Sequence, residues 1–282
     1  MKEREFINRI NTKYNNPHIQ IPRKLITELT AILRKYESES YTDYALSFLI
    51  LNGFLYKYAH YIDIDNEDYI TISDIKKLLK YSPNNQRINK VSKRYDGILE
   101  YESITESTGD IPLFISYRKS NSEELDKREI LRMSDVSEDI VETIRYDILT
   151  DRNYYSYIPT FMIDYPQKLG TMNDYRNTTR VSYKEFQRFL FNSDMSLKDF
   201  LVYIFIKSSL NKDGIANISY DRAQRGTGMS HKTFKNSTEK LQCLGIINIQ
   251  QHKNLSRERR SSKVYSICEK FTKMMSIDTP KP

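Results

Sequence analysis

Between Ser219 and Ser237 two short runs of helical spacing meet at a glycine-containing corner, and this corner limits the possible folds more than any other stretch. The first run opens on Ser219, a hydroxyl residue suited to capping a helix, and carries a small residue, Ala223, where a second helix must come close. Gly226-Thr227-Gly228-Met229 then supplies the backbone freedom for a sharp reversal. Ser230 caps the second run, which reaches Leu244 with Phe234, Leu241 and Leu244 expected to face inward, and Gly245 stops it.

The flanks of the corner are equally patterned. Ser182 and Glu185 form a capping-box pair at the head of a helix reaching Phe191, and Ser196 caps Leu197 to Leu210, with Phe200, Leu201, Ile204 and Phe205 on its buried side. Asn211-Lys212-Asp213-Gly214 is a turn and Ile215 to Ile218 a short strand. After the second helix come a strand, Ile246 to Gln250, a long polar loop from His252 to Lys263, and a returning strand, Val264 to Ile267.

A similar order precedes it. Residues 1–21 read as a flexible polar arm, and Pro22 sits where the first turn of a helix favours proline. Leu25, Ile26, Leu29, Ile32 and Leu33 give that helix, ending near Tyr36, and Tyr41 to Tyr61 gives a second, buried on most sides. Ile70-Thr71-Ile72 is a strand candidate, Ser73 caps Asp74 to Lys80, and Asn85 to Tyr95 is a third helix carrying Arg87, Lys90, Lys93 and Arg94. Ile98 to Thr105 and Ile111 to Tyr117 alternate like the arms of a hairpin turning at Ser107 to Asp110. An acidic, mostly helical connector follows, including a helix from Ser137 to Leu149, and Gly170 to Asp174 reads as a linker. The expected organisation is an arm (1–21), an N-terminal domain (22–120), a connector and linker (121–180) and a C-terminal domain (181–282). The fold class is α+β, mainly helical, with two tandem copies of one architecture.

Charge separates the ends. Residues 180–282 hold 19 Lys and Arg against 9 Asp and Glu, a net of +10, while residues 1–179 hold 25 against 28. Residues 100–151 are the most acidic stretch, with 6 basic and 14 acidic residues. Such a chain offers a polyanion one preferred face.

Enzyme chemistry is not expected. The histidines, His18, His60, His231 and His252, never fall at metal-ligand spacing, and no phosphate-cradling Gly-Lys-Ser/Thr motif or nucleophile–base arrangement is present, so no cofactor is expected either. Cys243 and Cys268 form no metal clip or disulfide framework, which suits a reducing compartment. The longest apolar run, Ala45 to Leu55, is interrupted by Asn52 and Gly53, and Met1-Lys2-Glu3-Arg4-Glu5 does not lead into an apolar signal. A cytoplasmic protein without a membrane span is expected.

Residues 196–268 resemble the winged helix-turn-helix superfamily, and Leu241-Gln242-Cys243-Leu244-Gly245-Ile246-Ile247 resembles its usual exit from the second helix into the first wing strand. The resemblance implies that the second helix enters the major groove of duplex DNA by its N-terminal end, placing Ser230, His231, Lys232, Thr233, Lys235 and Asn236 nearest the bases and phosphates. Lys232 and Asn236 suit base edges, and Ser230 and Thr233 suit phosphates. The wing adds Lys253, Arg257, Arg259, Arg260 and Lys263 for the backbone or minor groove. Arg87, Lys90, Lys93 and Arg94 of the N-terminal copy suit phosphates, whereas Glu102, Glu106 and Asp110 make its wing acidic, so that copy either binds DNA by its helix alone or serves dimerisation.

Two winged helices in tandem over about residues 22–268 resemble plasmid replication initiators. That resemblance implies binding to repeated origin sites (iterons) and recruitment of host replication proteins. The same architecture also serves transcriptional regulators and replisome-organising or helicase-loading scaffolds.

Overall fold

The computed structural model describes residues 17–58, 62–63, 68–93, 96–107, 112–117, 127–132, 137–139, 141–142, 157–162, 177–251 and 262–276. Residues 1–16 of the expected arm, the hairpin turn at 108–110 and the linker at 170–174 lie outside them. Among the described residues the chain is α+β and mainly helical, with small, mostly antiparallel sheets.

Strand β1 (His18–Pro22) opens the first half, followed by helices α1 (Leu25–Lys35) and α2 (Thr42–Tyr58). Every residue of α2 except Lys57 is buried, as a helix apolar on all its faces requires. Short strands β2 (Ile62–Asp63) and β3 (Asp68–Tyr69) lead to helices α3 (Ile72–Leu78) and α4 (Gln86–Ser92). The cap of α3 is Thr71, two residues earlier than the expected Ser73. Its hydroxyl accepts from the Asp74 N–H and the Asp74 carboxylate accepts from the Thr71 N–H, so the Thr71–Asp74 pair forms a full capping box. Asn85 caps α4 through the N–H groups of Arg87 and Ile88. Buried Lys76 bonds the Pro83 carbonyl (2.9 Å) and the Asn89 side chain, and so ties α3 to the turn and to α4.

The expected hairpin after α4 is not formed as such. Ile98–Tyr101 is a helical turn, α5, and β4 (Thr105–Ser107) pairs with β7 (Tyr157–Pro159). Strand β5 (Pro112–Tyr117) pairs instead with β6 (Lys127–Arg132) and, in parallel, with β2. Residues 127–132 are therefore strand within a connector expected to be mostly helical, while Val141 N–H bonds the Ser137 carbonyl where a helix was expected.

The second half follows its sequence pattern closely. Strand β8 (Thr178–Ser182) leads to α6 (Tyr183–Phe191) and α7 (Leu197–Ser208), with capping boxes at Ser182–Glu185 and Ser196–Asp199. Strand β9 (Ile215–Ile218), helices α8 (Tyr220–Thr227) and α9 (His231–Cys243), and strands β10 (Ile247–Gln251) and β11 (Lys263–Ile267) come next. These strands form one antiparallel sheet in the order β10-β11-β9. Helix α10 (Glu269–Ser276) closes the described chain.

The two halves share one core. Strand β1 pairs antiparallel with β8, setting Ile19 opposite Val181, and α2 packs on α7. Ile19 and Ile21 are 0% exposed, so the end of the expected arm is a core strand, and Pro22 closes that strand instead of opening a helix. The boundary expected between 180 and 181 falls inside β8. From α2, Phe54 stacks on Phe186 at 5.9 Å and meets Tyr183 edge-on at 5.3 Å. The ring chain continues through Phe200, Phe189 and Tyr203 to Phe271 of α10.

Contacts from α1 and from the end of α3 also join the halves. Helix α1 packs on α8, where the Thr30 hydroxyl donates to the Gly226 carbonyl at 2.8 Å. Lys80, just after α3, reaches the Asn192 and Met195 carbonyls between α6 and α7. The corner between α8 and α9 needs both of its glycines. A methyl at Gly226 would lie 2.3 Å from the buried Phe205 ring, and Gly228 adopts φ +71° with the Glu39 carbonyl 3.0 Å from where a Cβ would stand.

Candidate nucleic-acid interface

Helix α9 is amphipathic, and its inner face fixes its outer one. Phe234, Ser237, Thr238 and Leu241 are buried, with Phe234 edge-on to Phe205 of α7 and to Tyr265 of β11. The opposite face then exposes Ser230, His231, Lys232, Lys235 and Asn236, with Thr233 half-buried beside them. Leu244, expected inside, is 36% exposed because α9 ends one residue earlier and Leu244 serves as its C-cap.

The N-terminal end of α9 has no acidic residue in its first turn. Its unpaired N–H groups and helix dipole therefore favour an anion there. Ser230 Oγ already accepts the Thr233 N–H (3.2 Å), and the two hydroxyls lie 2.9 Å apart. Ser230 and Thr233 also edge a cleft of about 180 Å³ that Glu39 and Asp43 of the first half line with Lys198. Burial pushes the Asp43 carboxyl up despite the Tyr44 N–H and nearby Lys198, which favour its charged form. That acidic wall narrows the groups best placed for an incoming polyanion to His231, Lys232, Lys235 and Asn236. Lys235 makes an exposed pair with Glu239 at 3.7 Å, a contact worth about 0–1 kcal/mol and easily exchanged for a phosphate.

Asp199 clamps α9 to α7. Its carboxylate accepts from Lys240 of α9 at 2.9 Å while completing the Ser196 cap. Burial would raise the Asp199 pKa, but bonds from Lys240, Ser237 and Ser196 outweigh it and hold the group below its usual range. Glu185 is held down in the same way: burial opposes its charge, and Lys207, Tyr203 and the Ser182 N–H overcome it. Depressed carboxyl values stabilise the fold above the unfolded values, and that stabilisation is lost as the pH falls through the folded ones. Stability should therefore decline below the ordinary values of 4.5 for Glu185 and 3.8 for Asp199. Asp43 acts with the opposite sign, since its raised value makes its ionised form a cost that acid relieves. Urea midpoints measured down an acid series should fall for the wild type. Asp199→Asn should start lower at neutral pH and fall less steeply; a parallel fall in the two chains would remove Asp199 from the account.

The remaining sequence candidates divide. Lys263 opens β11, half-buried, opposite Gln251 and Ile218. Lys253, Arg257, Arg259, Arg260 and Arg94 lie outside the described residues. Arg87 is exposed on α4. Exposed Lys90 bonds the Tyr36 carbonyl at 3.0 Å, and exposed Lys93 pairs with Asp96 at 2.7 Å.

Sequence reasoning passed over three residues of α8. Arg222 and Arg225 are exposed and steady their side chains on the Asn217 and Asp221 carbonyls at 2.9 and 3.3 Å. Tyr220 meets His231 with ring centroids 3.6 Å apart. The signal for the two arginines was present, as cationic residues on a short helix with only Ala223, Gly226 and Thr227 buried, whereas the contact of Tyr220 is made with another helix.

Among the described residues no three His, Cys, Asp or Glu side chains gather to hold a metal ion, and no helix is long and apolar enough to cross a membrane. No protein-family profile, curated protein or solved structure matches the chain.

Proposed function

We propose that this chain binds duplex DNA sequence-specifically and initiates replication of a plasmid by occupying repeated origin sites. The observation that carries the reading is the outer face of α9, where His231, Lys232, Lys235 and Asn236 stand exposed on a helix held by a glycine corner. The succession α7, β9, α8, α9, β10, loop, β11 has the element order of a winged helix, with α9 as the helix that enters the major groove. The loop between β10 and β11 carries Lys253, Arg257, Arg259 and Arg260, which serve as the backbone-binding wing.

We read the first half as a divergent copy of the same architecture. The pairing of β1 with β8 and of α2 with α7 supports this, because equivalent elements of the two halves meet. Arg87 on α4 adds phosphate contacts, Arg94 extends them, and the N-terminal half mediates self-association. The acidic 121–180 segment recruits host replication proteins. The protein acts in the cytoplasm and does no covalent chemistry.

A transcriptional regulator would share the DNA face. An effector-controlled one needs a ligand pocket of roughly 300–1,000 Å³. The cleft beside Ser230, at about 180 Å³, gives that version no support. Nuclease protection on fragments flanking the protein's own gene separates the two readings. Several evenly spaced protected sites are expected of an initiator. A single short palindrome would transfer the proposal to a regulator.

A further inference from the structure

Tyr220 belongs to α8, yet its ring meets α9 and lies within cation–π range of β11. It lies against the imidazole of His231, the first residue of α9, with centroids 3.6 Å apart and planes at 66°. The Lys263 ammonium, at the foot of the wing, stands 6.0 Å from the same ring centroid, within cation–π range. The Tyr220 phenol is also near enough to Tyr265 to act on it, adding to the burial that raises the Tyr265 hydroxyl. Tyr265 in turn packs its ring edge-on against Phe234 of α9. A closed circuit therefore runs from β11 through Tyr220 to the first turn of α9, and back through Phe234 and Tyr265.

We propose that Tyr220 is a positioning residue that sets strand β11, with Lys263 at its head, and helix α9 at one fixed relation, so that base reading by α9 and backbone contact by Lys263 occur together. This rests on the DNA-binding reading. The ring is the part of Tyr220 that both contacts use, the His231 imidazole by its edge and the Lys263 ammonium at cation–π distance. Fixing two contact elements before binding removes part of the ordering cost, and that gain is specific to the site at which both elements engage.

The test uses full-length wild type, Tyr220→Ala and Tyr220→Phe. The probes are a duplex selected by the wild type from a random-sequence pool and a scrambled duplex of equal length. Tyr220→Ala should lose roughly tenfold affinity for the selected duplex, much less for the scrambled one, and keep its salt slope, since no phosphate-bound cation is removed. Tyr220→Phe should restore the affinity. Equal loss on both duplexes, a shallower slope, or failure of phenylalanine to rescue would each overturn the positioning role.

A second readout does not depend on DNA. The imidazole proton resonances of His231 should carry a ring-current shift that disappears in Tyr220→Ala and persists in Tyr220→Phe. If the shift behaves so but the wild type selects no duplex, the DNA-binding reading fails while the contact stands. If His231 shows no Tyr220-dependent shift, the circuit itself is wrong.

Discussion

Residues 181–282 expressed alone are expected not to hold a fold. The cut would remove β1 from Val181, Phe54 from Tyr183 and Phe186, the α2 surface from α7, and Thr30 from the Gly226 carbonyl. Val181, Tyr183 and Phe186 are at most 6% exposed in the whole chain, and the α7 side chains facing α2 are similarly buried. Each large apolar side chain returned to water costs about 1.5–3 kcal/mol, so four or five of them amount to about 6–15 kcal/mol. Stability of a whole domain is about 5–15 kcal/mol, so little or nothing would be left. Circular dichroism during heating should give a broad, uncooperative melt for the fragment and a sharp one for the full chain. A cooperative melt of the fragment would mean that the second half is an independent module and that the shared core contributes little to it.

Replacing Lys232 and Asn236 together by alanine is expected to abolish sequence discrimination while leaving the fold intact. Both side chains are exposed on the outer face of α9, and neither occurs among the residues that anchor the helix, Phe234, Ser237, Thr238 and Leu241. A good side-chain pair with a base edge is worth about 1–3 kcal/mol of discrimination, so losing two should cost roughly a hundredfold or more at the preferred site. Affinity for scrambled duplex should fall only by the one phosphate contact that Lys232 could make. Competition binding with selected and scrambled duplexes measures the ratio. An unchanged ratio with an unchanged melt would place base reading elsewhere on the chain.

Local chemistry was legible in the sequence and distant pairing was not. Ser182, Ser196, Ser219 and Ser230 all cap helices, because a cap is satisfied within three residues of chain. Gly226 and Gly228 could be placed for a similar reason, although their closest neighbours, Phe205 and Glu39, come from other elements. Strand β1 was hidden because Ile19 and Ile21 alternate over only five residues and find their partner at the start of the second half. The segment Ile98–Tyr101 is too short for its period to distinguish strand from helix, and β4 takes Tyr157–Pro159 as its partner in place of the nearer β5. The exposed candidates on α9 followed from the positions of Phe234 and Leu241. Tyr220 did not, because its contacts converge from α9 and β11.

The proposed duplex-DNA face combines α9 with the basic residues that lie in sequence between β10 and β11. The most direct measurement is the affinity of the full chain for duplex DNA across a salt series, compared with the Arg257→Ala, Arg259→Ala, Arg260→Ala triple variant. Each phosphate contact contributes about −0.9 to the slope of log affinity against log salt, so the variant should bind more weakly on every sequence with a slope shallower by roughly 2–3. Wild-type binding that is absent or indifferent to salt would contradict the account and make these helices a surface for protein instead of nucleic acid.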